Sequence, residues 1–175
     1  TSFFVPKPFT PFQWTRMAKQ EEFIAKRKLL SSKLKEQLNN KSIKYNWHDA
    51  ELTMLEGVFA RGDRKLCDLL VEAYNNGCIF DSWSEHFKFD MWVKSFENLG
   101  LSMDFYNHRE REQEEILPWD FIDAGVTKTF LWREYTKGKE EVVTPNCRKG
   151  CAGCGAKVFH GGVCYEPRNE AGESL

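Results

Sequence analysis

Apolar side chains recur every three or four residues along most of the chain, which is the spacing of one face of an α-helix. Between about residues 15 and 38, Lys and Arg separate apolar residues at this spacing, so the pattern predicts a long amphipathic helix. Its apolar face consists of Phe23, Ile24, Leu30, Leu34 and Leu38. A second helix is predicted to end near Ala60, with Asn46 or Asp49 as its N-terminal cap. Gly57 inside it costs about 1 kcal/mol relative to Ala, which indicates close helix packing.

Three more helices are predicted from the same spacing. Residues 62–63, Gly-Asp, separate the second helix from a third, which Gly77 stops. The apolar face of the third helix is Leu66, Leu69, Leu70, Ala73 and Tyr74. A fourth helix is predicted to end at Gly100, and Ser102 is predicted to cap a short helix through Tyr106. The apolar face of the fourth helix is Phe89, Trp92, Val93 and Phe96.

The last predicted helix begins after Thr127, whose side chain can cap it, and Gly138 is predicted to close it. One side of this helix carries Phe130, Leu131, Glu134 and Tyr135. The preceding LPWD segment, residues 117–120, predicts a turn that buries a Trp. Residues 108–115 are almost all charged, which is typical of a solvated face or a linker.

The opening residues are rich in proline and aromatic side chains. Three prolines within residues 2–14 exclude a helix and predict an extended segment in which Phe9, Phe12 and Trp14 must pack against something. Residues 3–5 resemble the end of a strand, and the alternation at residues 43–46 predicts another short strand. The predicted fold class is therefore mainly α, a helical region with one or two short strands and a Cys-rich loop segment at the end.

Composition and charge narrow the functional classes. The 175 residues carry 25 Lys and Arg against 26 Asp and Glu, so there is no general attraction to nucleic acid or anionic lipid. Apolar runs are far shorter than the roughly 20 residues needed to cross a bilayer, and no signal peptide is visible, which predicts a cytoplasmic protein. Because the sequence begins with Thr1 and not Met, we expect it to be a piece of a longer protein.

Four of the six cysteines lie close together near the end of the chain: Cys147, Cys151, Cys154 and Cys164. Their spacing is C-x3-C-x2-C-x9-C, and two thiolates separated by two residues fit one edge of a tetrahedral metal site. The glycine that follows Cys154 allows a tight turn in which backbone N–H groups point at the thiolates. We therefore predict a Cys-ligated site, either structural zinc or an iron-sulfur cluster, and not a disulfide framework.

The same residues allow other assignments of the ligands and of the cluster type. His160 can replace one cysteine, although Cys164 is the simpler fourth ligand. The first three cysteines have the C-x3-C-x2-C spacing of the catalytic cluster of radical SAM enzymes. However, Gly153 stands where an aromatic residue usually precedes the third cysteine, and the motif lies near the end of the sequence and not early in a barrel. We therefore do not expect these cysteines to form that catalytic site. Cys67 and Cys78 lie on or beside amphipathic helices and are interpreted as ordinary core or boundary residues.

Two polar aromatic blocks, WHD at residues 47–49 and WSEH at residues 83–86, contain His next to a carboxylate. Such neighbours can exchange protons near neutral pH, so the blocks could line a substrate surface. The favoured interpretation is simpler: the tryptophans pack against helix ends and the polar groups cap those helices.

The segment FVPKPFTPFQW, residues 4–14, resembles the segment that closes the catalytic barrel in a group of radical SAM proteins, several of which also carry a cobalamin-binding-like domain. Five further blocks resemble the carboxy-terminal half of an uncharacterised radical SAM family. They are WHDAE (47–51), FARGD (59–63), FDSWSEHF (80–87), LPWD (117–120) and DAGVTK (123–128), the last with the cysteine tail. The chain departs from that pattern at Phe9, where His is expected, and in the longer interval between Cys154 and the final cysteine.

The resemblance implies a division of the chain. Residues 1–14 would end a catalytic barrel, 15–143 would form a helical accessory region, 144–166 would hold a metal or cluster, and 167–175 would be a frayed tail. A four-iron, four-sulfur cluster and S-adenosylmethionine would sit in the barrel upstream, which would be the partner of this region.

The leading hypothesis is therefore an accessory region that helps cover the barrel or position substrate and is not catalytic by itself. Its catalytic residues, its cofactor-binding residues and its substrate, RNA or protein, stay open. The competing hypothesis is a free-standing helical zinc module that contacts protein or RNA.

Overall fold

The computed structural model describes residues 5–37, 45–147 and 149–159. This part of the chain contains six α-helices and no strand, so the mainly helical prediction is confirmed. The helices are α1 Gln20–Gln37, α2 Ala50–Arg61, α3 Leu66–Asn75, α4 Phe89–Asn98, α5 Met103–Asn107 and α6 Lys128–Lys139. Short 3-10 turns lie at Pro11–Trp14 and Ala156–Phe159. The two predicted strands fall mainly on residues outside the described ranges.

Packing divides the described residues into two compact units. The first contains residues 5–6, 15–37 and 45–111, and therefore α1 to α5. The second contains residues 7–14, 112–147 and 149–159, and therefore α6 and both 3-10 turns. Within the described ranges, no helix is both long enough and apolar enough to cross a lipid bilayer.

Three helices begin at caps that the sequence predicts. The Asp49 carboxylate accepts hydrogen bonds from the backbone N–H groups of Glu51 and Leu52, at 2.9 and 3.2 Å. Ser102 and Thr127 accept in the same way from the residue three positions later. These bonds satisfy N–H groups that have no partner within the helix, which explains why α2, α5 and α6 begin where they do.

The first helix differs from its prediction at both its start and its buried face. It begins at Gln20 and not near residue 15, because the Glu22 carboxylate accepts a hydrogen bond from the backbone N–H of Lys19 at 2.7 Å. Arg16 pairs with the same carboxylate at 3.0 Å. Among the described residues of its predicted apolar face, only Phe23 is buried, and Leu30 is 40% exposed. The apolar spacing in α1 therefore predicts the helix correctly but not an extended buried face.

The core of the first unit forms where α2, α3, α4 and α5 meet. It consists of Leu55, Val58, Leu66, Leu69, Ala73, Cys78, Trp92, Phe96 and Tyr106. The predicted face of α3 is buried only in part, because Leu70 and Tyr74 are 48% and 65% exposed. Helix α4 ends at Asn98, two residues before the glycine predicted to end it.

Two arginines are buried in this unit, and one of them corrects a prediction. Arg111 lies in the charged run at residues 108–115, which we expected to be solvated, yet it is only 5% exposed. Its guanidinium donates to the backbone carbonyl of Tyr106 at 3.3 Å. Arg61, 1% exposed, donates to the carbonyl of Asn107 at 3.1 Å. Both cations thus bind backbone carbonyls around the end of α5. The run of charged residues at 108–115 does not indicate that one of its members is buried in this way.

Gly57 lies at a close contact, as its place inside α2 predicts. A Cβ atom there would lie 2.5 Å from Oδ1 of Asn107, and the Asn107 amide is held by a hydrogen bond to the carbonyl of Met54 at 2.8 Å. We expect Gly57→Ala to destabilise the first unit by about 1–2 kcal/mol, since overpacking outweighs the gain in helix propensity. Urea denaturation measures the change; a more stable variant would contradict the packing of α2 against α5.

The Tyr106 hydroxyl makes the first unit sensitive to alkaline pH. The Tyr106 hydroxyl donates a hydrogen bond to the carboxylate of Asp63 at 3.3 Å. Burial, together with this nearby negative charge, raises the pKa of Tyr106 to about 12. The folded state keeps the phenol neutral above its unfolded pKa. The contribution of Tyr106 to the stability of the fold is therefore present below about pH 10 and is lost as pH rises toward 12. Ultraviolet titration of the parent and Tyr106→Phe should show one late-ionising tyrosine that only the parent contains. An ordinary tyrosine pKa in both would contradict this.

The opening segment packs into the core of the second unit. Pro11–Trp14 form a 3-10 turn and are not extended as predicted, because proline is tolerated in the first turn of a helix. Trp14 is fully buried and packs edge to face on Trp132, with ring centroids 5.0 Å apart. Leu117, Trp119, Leu131 and Tyr135 complete this core. The prediction that the LPWD turn buries a Trp is confirmed, since Trp119 is 7% exposed.

Helix α6 continues past the residue predicted to close it. Gly138 lies within α6, where a Cβ atom would come 3.1 Å from the ring of Phe12. The helix ends at Lys139, and the backbone N–H groups after it bond back to carbonyls of the last turn. Gly138 is therefore a position of close approach for the opening segment, and not the end of the helix.

Candidate metal centre

Residues 151–155 form a tight loop with one hydrogen bond typical of metal-binding cysteine turns. The backbone N–H of Gly153 donates to Sγ of Cys151 at 3.4 Å. Gly153 and Gly155 have φ values of +66° and +100°, which favour glycine. Backbone N–H groups directed at a cysteine sulfur stabilise negative charge on it. Of the predicted contacts between backbone N–H groups and cysteine sulfur, the described residues thus contain the one to Cys151.

The loop is fixed to the start of α6. The backbone carbonyl of Cys154 accepts a hydrogen bond from the N–H of Thr127 at 2.9 Å. A Cβ atom on Gly155 would lie 2.8 Å from Cγ2 of Thr127, so no larger residue fits there without a shift. Arg133, six residues further along in α6, donates a hydrogen bond to the carbonyl of Ala152. The helix thus provides a fixed base for half of the predicted ligand set.

Basic side chains surround the cysteine loop. Arg133, Lys137 and Lys149 line a cavity of about 320 Å³ together with Cys151. A metal bound by several thiolates carries net negative charge, which these cations would offset.

The segment that leads into this cavity is also tied to α6. Lys137 donates to the hydroxyl of Thr144 at 3.0 Å. A hydrogen bond with Thr144, assisted by the charge of Lys137, lowers the pKa of Glu134.

The other predicted ligands are placed differently. Cys147 is exposed and lies within a turn in which the N–H of Lys149 donates to the carbonyl of Asn146. Cys164 and the alternative ligand His160 lie outside the described residues. Among the residues that the structure does describe, no three His, Cys, Asp or Glu side chains come together in a metal-binding group. The described residues thus provide two thiol ligands, Cys151 and Cys154, whereas the complete ligand set stays a prediction.

The two cysteines interpreted as ordinary residues lie in the first unit. Cys78 is 7% exposed and belongs to its core, and burial raises the pKa of its thiol. Cys67 is exposed on α3. The core assignment is therefore confirmed for Cys78 alone.

Both polar aromatic blocks, residues 47–49 and 83–86, are exposed along their whole length. Asp49 caps α2, as the simpler interpretation requires. Trp47 and Trp83, however, are 50% and 54% exposed and do not pack into helix ends. The guanidinium of Arg27 lies 5.2 Å from the ring of Trp47.

The sequence pattern did not identify Gln13 as a candidate functional residue. Gln13 is 2% exposed, and it lines a second cavity of about 360 Å³ in the second unit. Its partner in the core, Trp119, lies far away in the sequence. The one signal in the sequence is that Gln13 is the single amide side chain in an opening segment rich in aromatic residues.

Comparison with known proteins adds no further assignment, since no family model, no curated protein and no solved structure matches the chain.

Proposed function

We propose that this chain is a helical accessory region of a radical SAM enzyme and that its terminal cysteines bind an auxiliary metal or iron-sulfur centre. The ligands are Cys147, Cys151, Cys154 and Cys164. In this proposal the helical units lie beside an upstream barrel that carries the catalytic cluster and S-adenosylmethionine. The enzyme assignment rests on the sequence blocks described above, and the metal assignment rests on the cysteine loop.

The observation that carries the metal assignment is the hydrogen bond from the Gly153 N–H to Sγ of Cys151. It belongs to a loop in which glycines permit the turn and α6 fixes its position through Thr127 and Arg133. Cys151 is exposed and Cys154 is only partly buried, so packing in an apolar core does not account for these cysteines, and a bound ion is the simpler reason for such an arrangement. When bound, zinc would hold the segment in one shape, whereas an iron-sulfur cluster would add electron transfer.

A second candidate function is a free-standing zinc-stapled module that contacts protein or RNA. One structural observation favours it. Trp14 is fully buried within the second unit, so the main aromatic residue of the opening segment has its partners in this chain. The opening segment therefore does not by itself require a barrel.

Two measurements separate these candidates. The coding sequence upstream of residue 1 should encode a barrel with its own C-x3-C-x2-C motif if the chain is an accessory region. A reading frame without that motif would end the enzyme proposal while leaving the metal site intact. Absorption spectra of anaerobically purified protein then identify the centre: a brown chromophore with iron and sulfide indicates a cluster, and colourless zinc-containing protein indicates the structural site.

A further inference from the structure

A cavity in the second unit has the features of a small-molecule site. It measures about 360 Å³, within the range of ligand pockets in proteins. Its apolar walls are provided by Phe9, Phe121, Ile122, Val126 and Leu131. The polar residues that line it are Gln13, Asp120, Asp123, Thr127 and Lys128. Binding pockets usually combine apolar walls with polar groups in fixed positions, and this cavity contains both.

The orientation of the Gln13 amide is determined by its partners. Its Oε1 accepts hydrogen bonds from the indole N–H of Trp119 at 2.7 Å and from the backbone N–H of Phe9 at 3.0 Å. Both partners can only donate, so the oxygen must face them and the amide nitrogen must face away. That nitrogen makes no hydrogen bond to any described residue, although the side chain is only 2% exposed. Gln13 therefore offers a fixed, unused N–H donor to the cavity.

The charges around the cavity indicate what kind of ligand it takes. The carboxylate of Asp120 accepts from the ammonium group of Lys128 at 2.6 Å and from the backbone N–H of Leu117 at 2.9 Å. Lys128 also donates to the carbonyl of Glu115 at 2.7 Å, so its ammonium group already has two acceptors within the protein. Asp123 adds a second carboxylate to the lining. An anionic ligand would meet this negative charge, whereas a neutral group with both a carbonyl acceptor and an N–H donor would fit.

We propose that the cavity around Gln13 binds a small uncharged aromatic carboxamide or lactam. The carbonyl oxygen accepts the hydrogen bond from the Gln13 amide. The ring packs among the apolar walls, where Phe121, 84% exposed, forms an outer edge. The Asp123 carboxylate is the acceptor available in the lining for the N–H of the ligand. The backbone of Phe9 supports this site from a left-handed conformation with φ of 56°, which is unusual for a bulky residue.

The test compares benzamide with benzoate, which has the same ring but a negative charge. With the full chain, benzamide is expected to bind with roughly millimolar affinity by NMR titration, and to shift the side-chain amide signals of Gln13 and the indole signal of Trp119. Benzoate is expected to bind at least roughly tenfold more weakly. Equal binding of the two compounds, or no binding of benzamide, would overturn the proposal whatever metal the protein contains.

Two variants test the named contacts. Gln13→Glu keeps an acceptor for Trp119 and Phe9 but removes the amide donor, and it should weaken benzamide binding roughly tenfold. If that variant fails to fold, Phe121→Ser still tests the site, because an exposed side chain can be removed without loss of the core. We expect it to weaken binding roughly threefold or more. Ile116→Ser, 86% exposed and outside the cavity, is the matched control and should bind as the parent does. Unchanged binding in Phe121→Ser would contradict the site.

Discussion

Replacement of Cys151 by serine is expected to release the bound metal and to loosen the residues after Val143, while the helices stay folded. The reason is that a structural metal supplies much of the stability of a glycine-rich loop, commonly about 10–16 kcal/mol of apparent binding energy in small zinc domains. The helices have their own buried cores, so their circular dichroism signal should change little. Hydrogen exchange of peptides covering residues 144–159 should become at least roughly tenfold faster.

The matched control for this experiment is Cys67→Ser. Cys67 is an exposed cysteine on α3, and it lies outside the predicted ligand set. Its replacement should leave both the metal content and the exchange of residues 144–159 unchanged. Equal protection of those residues in Cys151→Ser and in the parent would contradict a ligand role for Cys151.

Truncation of Trp14 is expected to produce the largest loss of stability in the second unit. Trp14 is fully buried and contacts the rings of Trp132 and Tyr135 on α6. Trp14→Ala should therefore cost about 3–5 kcal/mol. Hydrogen exchange of α6 at increasing denaturant concentration measures this change directly.

Two further tryptophan variants show whether that loss comes from burial. Trp83→Ala removes a side chain that is 54% exposed, and it should cost less than about 1 kcal/mol. The indole N–H of Trp14 is buried without a hydrogen-bond partner among the described residues. Trp14→Phe should consequently lose less stability than Trp14→Ala, because it removes an unsatisfied donor along with part of the ring. Similar losses for Trp14→Ala and Trp83→Ala would contradict the described core.

The features that the sequence predicted well depend on local chemistry. Asp49, Ser102 and Thr127 cap helices through hydrogen bonds to residues two or three positions away, so a short window contains all the necessary information. The cysteine loop belongs to the same class, because its hydrogen bond joins Cys151 to Gly153. Residue type and spacing within a short window were sufficient to locate these caps and this loop.

The features that the sequence did not predict depend on contacts between distant segments. Arg111 is buried because backbone carbonyls near the end of α5 accept its hydrogen bonds, and a run of charged residues carries no sign of them. Gln13 acquires its fixed orientation from Trp119, which belongs to another part of the second unit. Such effects appear only once the chain is folded.

The most direct test of the central claim is the metal content of the full chain purified without oxygen. Elemental analysis together with acid-labile sulfide should find either about one zinc per chain or several irons with matching sulfide, held by thiolates of the cysteine segment. The same measurement on Cys151→Ser should find a large loss of that metal. Parent protein that is folded but contains neither zinc nor iron would contradict the account.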